Sequence, residues 1–144
     1  MRYCTHADIA KAIPPVTLRQ LSNDDPAAEL PDESVVEDCI RSAEELIDGY
    51  LRGRYSLPFD PVPTVLRDAA ISLVRYALYG RRPETDLPEA VKDDRKNTIR
   101  VLESIRDGVV TLGMPSGQAA PEPGEIRVRS RKRRFGGDRW KGYE

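Results

Sequence analysis

The sequence predicts an all-α protein, a small helical bundle of about four to five helices, three of them long, with an extended C-terminal tail. Apolar residues recur at three- and four-residue spacing in the long segments, which is the pattern of amphipathic helices. Prolines, glycines and N-capping residues separate these segments. The C-terminal residues are rich in arginine and glycine, so they cannot build a core of their own.

Two short helices are predicted first. Thr5 and Asp8 have the spacing of a capping box, which should start a helix that runs to about Ala12. Pro14-Pro15 ends it, and residues 16–21 are predicted to form another short helical turn. The side chains of this turn that could face the core are Val16, Leu18 and Leu21.

The third helix has the clearest pattern. Asp32 or Ser34 is predicted to cap it, and Ser34 and Glu37 have the spacing of a second capping box. Its apolar stripe consists of Val36, Cys39, Ile40, Ala43, Leu46, Ile47 and Tyr50. Its mostly charged opposite side consists of Glu37, Asp38, Arg41, Glu44, Glu45 and Asp48. Gly53 is predicted at or just beyond the helix end, where a left-handed residue is favoured.

Two further long helices complete the predicted body. Pro63 fits beside the start of a helix over residues 64–79, and Asp86 to Glu89 has the capping pattern that starts the last helix. Asp107-Gly108 should end that last helix. The first of the two has a wide apolar face of Val65, Leu66, Ala69, Ala70, Leu73, Val74, Ala77 and Leu78. The second has a narrower stripe of Val91, Arg95, Thr98, Leu102 and Ile105.

The chain divides into three regions. Residues 1–113 are predicted to form the helical domain, which ends in a short β-prone run over residues 109–113. Residues 114–124 contain three prolines and small residues, which indicates a linker. Residues 125–144 form a basic tail that we expect to gain order mainly from a partner.

The total charge of −1 hides a strong asymmetry. Residues 125–144 carry eight basic and three acidic residues, a net charge of +5, which leaves −6 for residues 1–124. An acidic body with a basic arm favours contact with an acidic partner, with another copy of the chain, or with nucleic acid.

Reactive groups are sparse, so we expect no enzyme, no cofactor and no metal site. His6 is the only histidine, and Cys4 and Cys39 lack metal-ligand spacing. We expect the two cysteines to stay reduced and Cys39 to be a small core residue. Glu44 and Asp48 are an i, i+4 acidic pair, which more often lies on a solvated helix face. No apolar run is long enough to span a bilayer and no signal peptide is evident, so we expect synthesis and use in a cytoplasm.

Two regions carry candidate interface residues. Arg52, Arg54 and Tyr55 lie where the third helix meets a proline-rich loop, although Tyr55 could instead pack in the core. The tail combines arginines with aromatics, a composition typical of interface anchors. Its candidate residues are Arg131, Arg133, Arg134, Phe135, Arg139, Trp140 and Tyr143. Three interpretations of the tail stay open: a nucleic-acid arm, a charged end that only aids solubility, and a segment that docks on acidic faces of neighbouring subunits.

Several segments together resemble a known family. They are Tyr3-Cys4-Thr5 with Asp8-Ile9, the block from Leu46 to Pro58, Pro63, Arg75-Tyr76, Leu112-Gly113 and, more loosely, Arg134-Phe135 and Gly142-Tyr143. With these residues the chain resembles the Mu-type phage structural protein family related to head–tail connector (adaptor) proteins.

This resemblance implies a virion structural protein at the neck of the particle, made in the cytoplasm of a bacterial host. It implies self-assembly into a ring, commonly dodecameric, beneath the portal protein. The ring would also contact a stopper or tail-completion protein, and DNA would pass through its channel without sequence-specific contact. The resemblance transfers no catalytic residues. The alternative from the residues alone is a small nucleic-acid-binding protein that uses the basic arm.

Overall fold

A computed structural model describes residues 2–82 and 86–113. The described residues form five helices and no strand, which confirms the predicted all-α class with three long helices. The helices are α1 (His6–Ala12), α2 (Pro15–Ser22), α3 (Glu33–Leu51), α4 (Thr64–Gly80) and α5 (Glu89–Arg106). The linker and the basic tail lie outside the described residues.

The two short helices begin where their sequence signals predict. In the capping box of α1, the Thr5 amide donates to Asp8 Oδ2 at 2.9 Å and the Asp8 amide donates to Thr5 Oγ1 at 3.3 Å. The Thr5 amide and the Thr5 hydroxyl both donate to the Asp8 carboxylate, which stabilises its charged form and lowers the pKa of Asp8. In α2, Leu18 and Leu21 are buried as predicted, but Val16 is exposed, so its assignment to the core is wrong.

The N-cap of α3 is Asp32. Its Oδ1 accepts hydrogen bonds from the Ser34 amide at 3.0 Å and the Val35 amide at 3.3 Å. Ser34 therefore lies inside the first turn, and the predicted capping box between Ser34 and Glu37 is wrong, because Asp32 already satisfies the free amides of that turn. At the start of α5, Pro88 holds the N-cap position without a side-chain hydrogen bond, so Asp86 does not cap.

The core lies between the three long helices, each of which packs against the other two. α1 packs on α4, while α2 contacts both α3 and α4. The completely buried side chains come from all three long helices and include Val36, Ile47, Leu66, Val74, Leu78, Leu102 and Ile105. Ala69 and Ala70 are also buried, which fits the predicted central position of α4. Leu46 and Val65, at the edges of the predicted stripes, are exposed instead.

Two arginines close the C-terminal end of α2. Arg81 Nη1 donates to the carbonyls of Leu21 and Ser22 at 2.7 and 2.8 Å. Arg82 Nη2 donates to the carbonyls of Gln20 and Asn23 at 2.8 and 2.7 Å. The last carbonyls of a helix have no partner within the helix. These bonds therefore satisfy α2 and attach it to the C-terminal end of α4.

The ends of α3 and α5 differ from each other. Gly53 follows the end of α3 but does not have a positive φ, so its predicted left-handed conformation is wrong. The left-handed residue is Gly108, which ends α5 with a φ of 84°. The run 109–113 forms no strand among the described residues. Instead the Val110 amide donates to the Ser104 carbonyl at 3.1 Å, so the chain folds back onto the last turn of α5.

Candidate functional site

Two carboxylates of α3 hold the N-terminal residues in place. Glu44 is 5% exposed and Asp48 is 3% exposed, so the prediction that they lie on a solvated face is wrong. The Tyr3 amide donates to Glu44 Oε1 at 3.0 Å, and the Tyr3 hydroxyl donates to Asp48 Oδ1 at 2.5 Å. Arg2 donates to both carboxylates, through its amide to Glu44 and through its guanidinium to Asp48. We call these four residues the N-terminal lock.

Two groups at the N-terminal lock, the Tyr3 hydroxyl and the Cys4 thiol, have raised pKa values. Burial, the hydrogen bond to Asp48 and the charge of Asp48 raise the pKa of the Tyr3 hydroxyl. Burial and the charge of Glu44 raise the pKa of the Cys4 thiol to about 11. A thiol needs its thiolate form to act as a nucleophile. At neutral pH Cys4 is therefore a protonated core residue.

These shifts predict a loss of stability at alkaline pH. The Cys4 thiol has an ordinary pKa of 9.0 and a folded-state pKa of about 11, so the unfolded chain releases this proton first as pH rises. The stability that Cys4 contributes is present below pH 9.0 and falls by about 2 to 3 kcal/mol as pH approaches 11. Tyr3 and Cys39, whose pKa values are also raised, add to the fall. Urea unfolding at several pH values measures it.

Cys4→Ala is the matched variant for this titration. It should be less stable at neutral pH because it leaves a small cavity, but its free energy of unfolding should fall less between pH 9 and 11. An unchanged slope in Cys4→Ala would contradict the assignment of this effect to the buried thiol.

The junction after α3, at Arg54 and Tyr55, contacts the end of α5 and the residues that follow it. The Tyr55 side chain is 4% exposed and packs against Phe59 with ring centres 5.7 Å apart. Its hydroxyl accepts a hydrogen bond from the Leu112 amide at 3.2 Å. Arg54 Nη1 donates to the Ile105 carbonyl at 3.3 Å, beside Gly108. We call Arg54, Tyr55 and Gly108 the exit clamp, because they fix the last described residues of the body.

The clamp changes the interpretation of two of the three predicted interface residues. Tyr55 is a core residue, which is the alternative that the sequence left open. Arg54 is half-buried and bound to α5, whereas Arg52 is exposed. Arg52 lines a pocket of about 370 Å³ together with Arg2, Asp48, Leu57 and Pro58, so the lock and the junction share one surface. An interface role for Arg52 stays a prediction.

The remaining predicted site residues lie in the tail, outside the described residues. They are Arg131, Arg133, Arg134, Phe135, Arg139, Trp140 and Tyr143. Within the described body, no three His, Cys, Asp or Glu side chains are placed to hold a metal ion. No helix among the described ranges has the length and apolar character that a membrane span requires.

Comparison with known proteins gives consistent matches. The family model for Gp36 of bacteriophage Mu matches residues 3–130. Gene product J of Escherichia phage Mu is 31% identical over 128 residues, which are 89% of this chain and 88% of that protein. The Mu-like prophage FluMu protein gp36 of Haemophilus influenzae is 36% identical over 89 residues, 62% of this chain. The match spans 60% of that Haemophilus protein's length.

Proposed function

Because the chain belongs to the bacteriophage Mu Gp36 family, we propose that it is a structural protein of the phage or prophage particle that joins head to tail. The observation that carries the proposal is the family match over residues 3–130, which confirms the family resemblance of the sequence. The chain is a phage protein, and the connector role within the particle is our inference. In the described body the two buried carboxylates are engaged by the N-terminal residues, which gives them a structural role.

In this proposal the helical body supplies contacts between copies in a ring, and the tail binds the portal protein. The exposed apolar side chains of the body are candidates for contacts between copies, because apolar surface is buried when subunits associate. They include Val16, Leu30, Val109 and Val110. Arg52 is the exposed cation of the junction that we assign to such a contact. The ring would also bind a stopper or tail-completion protein and leave a channel for DNA.

Removal of the tail tests this function. Deleting residues 125–144 should leave the helical body folded and weaken binding to the portal protein of the same phage about a hundredfold or more. Aromatic and arginine anchors often contribute 2 kcal/mol or more each, and about 2.7 kcal/mol corresponds to a hundredfold change in affinity. Circular dichroism checks the fold, and sedimentation or surface plasmon resonance measures portal binding.

Single substitutions distinguish specific anchoring of the tail on the portal protein from a general effect of positive charge on binding. Arg134→Ala and Trp140→Ala should each weaken portal binding, whereas Lys11→Ala, which removes an exposed cation from the body, should not. Portal binding that survives deletion of residues 125–144 would refute the anchor role of the tail.

A nucleic-acid-binding role is the second candidate, because residues 125–144 carry eight basic residues together with aromatics. Binding through phosphates falls steeply with salt, since each neutralised phosphate releases counterions. A salt titration of duplex DNA binding, with and without the tail, distinguishes the two functions. Tail-dependent retention of DNA at physiological salt without portal binding would favour this second role.

A further inference from the structure

A groove runs along the outer face of the bundle between α4 and α5. It has a volume of about 510 Å³ and is bordered by the C-terminal end of α1 at Ala12. Val65 and Val101, which both line it, are 47% and 39% exposed. Half-buried Ile71 lies in the same groove. Adjacent exposed apolar side chains in a concave site favour an occupant that would shield them from water.

Polar atoms in the groove lack partners. Ser72 Oγ and Arg75 Nε are both buried and make no hydrogen bond in the described structure. Two other helical serines bond back to a carbonyl, Ser22 to Leu18 at 2.7 Å and Ser104 to Arg100 at 2.8 Å. Buried donors are nearly always satisfied. Both atoms are themselves buried, so these unsatisfied donors lie within the wall of the groove rather than on its open surface.

The groove also carries negative charge. Asp68 and Asp94 line it, and Asp94 pairs with Arg75. Asp68 is exposed and has no ion pair within the described residues. The groove therefore suits an extended segment with apolar side chains on one side and cations that can reach its rim.

The chain contains one such segment. In residues 126–134, Ile126 and Val128 alternate with Arg127 and Arg129, and six of the nine residues are cations. Alternation places the two apolar side chains on one side of an extended backbone. The family match continues to residue 130, so it includes Ile126 and Val128 but not residues 131–134. We name residues 126–134 the basic segment.

The basic segment can reach the groove of its own chain. Near its end the body folds back onto the last turn of α5, where the Val110 amide donates to the Ser104 carbonyl, and Val101 lies about one turn before Ser104. Residues 114–124 form a tether of eleven residues, which spans at most about 40 Å when extended. The groove from Val101 to Asp94 covers about 10 Å of helix. A short tether also raises the effective concentration of the segment to about the millimolar range.

We propose that the basic segment docks in the α4–α5 groove of its own chain, with Ile126 and Val128 against Val65 and Val101. In this state the acidic body and the basic arm neutralise each other before a partner binds. The docking does not rest on the proposed role at the neck, because it is a property of the isolated chain.

Disulfide trapping in the full-length chain tests the docking. The test pair is Val101→Cys with Val128→Cys, and the control pair is Leu30→Cys with Val128→Cys, both in a Cys39→Ala background. Leu30 is an exposed loop residue whose carbonyl accepts from Asn23, and Asn23 is bound to Arg82 after the far end of α4. The control cysteine is therefore remote from the groove but open to the same tethered segment.

The test pair should crosslink within one chain at least about tenfold faster than the control pair. Docking would hold residue 128 at the groove and so raise its local concentration beside residue 101. The rate should be independent of protein concentration. Asp68→Lys should slow it, while Glu45→Lys, the same charge change on the exposed side of α3, should not. Equal rates for the two pairs would overturn the proposal. A dominant crosslink between two chains would overturn it as well, because the occupant would then be a second copy.

Discussion

The Asp48→Ala variant should lose about 3 kcal/mol of its free energy of unfolding. Asp48 is buried and accepts hydrogen bonds from the Tyr3 hydroxyl and the Arg2 guanidinium. Removing the carboxylate leaves a buried hydroxyl unsatisfied, at a cost of about 1 to 3 kcal/mol. It also removes a charge partner from Arg2, whose side chain is 43% exposed, so this second contribution is about 1 kcal/mol or less. Urea unfolding measures the sum.

Glu45→Ala is the matched control for Asp48→Ala. It removes an acid from the same helix, but Glu45 is exposed, so its free energy of unfolding should change by about 0.5 kcal/mol or less. A double-mutant cycle with Tyr3→Phe isolates the hydroxyl–carboxylate bond. In the Tyr3→Phe background Asp48→Ala should cost clearly less. Equal costs of Asp48→Ala and Glu45→Ala would show that the N-terminal lock does not stabilise the fold.

Gly108→Ala should destabilise the body by about 2 to 3 kcal/mol. Its φ of 84° lies in the region that only glycine adopts freely, and a side chain there costs about 1 to 2 kcal/mol. An added Cβ would also meet the Arg54 guanidinium. The flexible end of Arg54 can move aside, but it then gives up its bond to the Ile105 carbonyl, at about 1 kcal/mol. Thermal or urea unfolding of the full-length chain measures the total.

Three variants separate strain from the lost bond. Gly113→Ala places a methyl at a φ of 70° with open space around it, so its free energy of unfolding should fall by the backbone strain alone. Gly49→Ala lies in the last turn of α3 with open space around it and no positive φ, so it should stabilise slightly, by about 0.5 kcal/mol. In an Arg54→Ala background, Gly108→Ala should cost only the strain. An unchanged cost there would contradict the contact between Arg54 and Gly108.

The helices could be predicted from the sequence because their signals are local. The capping box at Thr5, the prolines before α2 and α4, and the glycine that ends α5 each act within a few residues of the helix end they mark. The N-cap of α3 shows the limit of such local signals. Both Asp32 and Ser34 have suitable side chains, and only the folded helix shows that Asp32 holds the N-cap position.

The N-terminal lock could not be predicted in the same way. Its bonds join Arg2 and Tyr3 to residues more than forty positions later, and nothing local marks that pairing. One signal was present on α3 itself. Glu44 and Asp48 lie at helical spacing within the series Ile40, Ala43, Ile47 and Leu51, all of which are buried. Two acids inside an apolar face need internal partners, which is a stronger inference than assigning them to solvent.

The exit clamp was missed for a related reason. Aromatic and basic residues at a helix end are typical of binding surfaces, but the same side chains also fill the space between two helix ends. Tyr55 and Arg54 fill the space between the ends of α3 and α5, because the end of α5 lies against them. Contacts between α3 and α5 decide this, and a single sequence carries no direct record of them.

The N-terminal lock bears on where a label can be attached to this protein. Since the amide of the second residue already donates to a buried carboxylate, an affinity tag or fluorescent protein fused ahead of Met1 would begin one residue from that bond. The opposite terminus carries the arginines and aromatics proposed to bind the portal. The loop between α2 and α3 is a better choice at Pro26 and Ala27, which are exposed and are not among the apolar side chains assigned to contacts between copies. A short epitope inserted there leaves both the N-terminal lock and the basic tail unaltered.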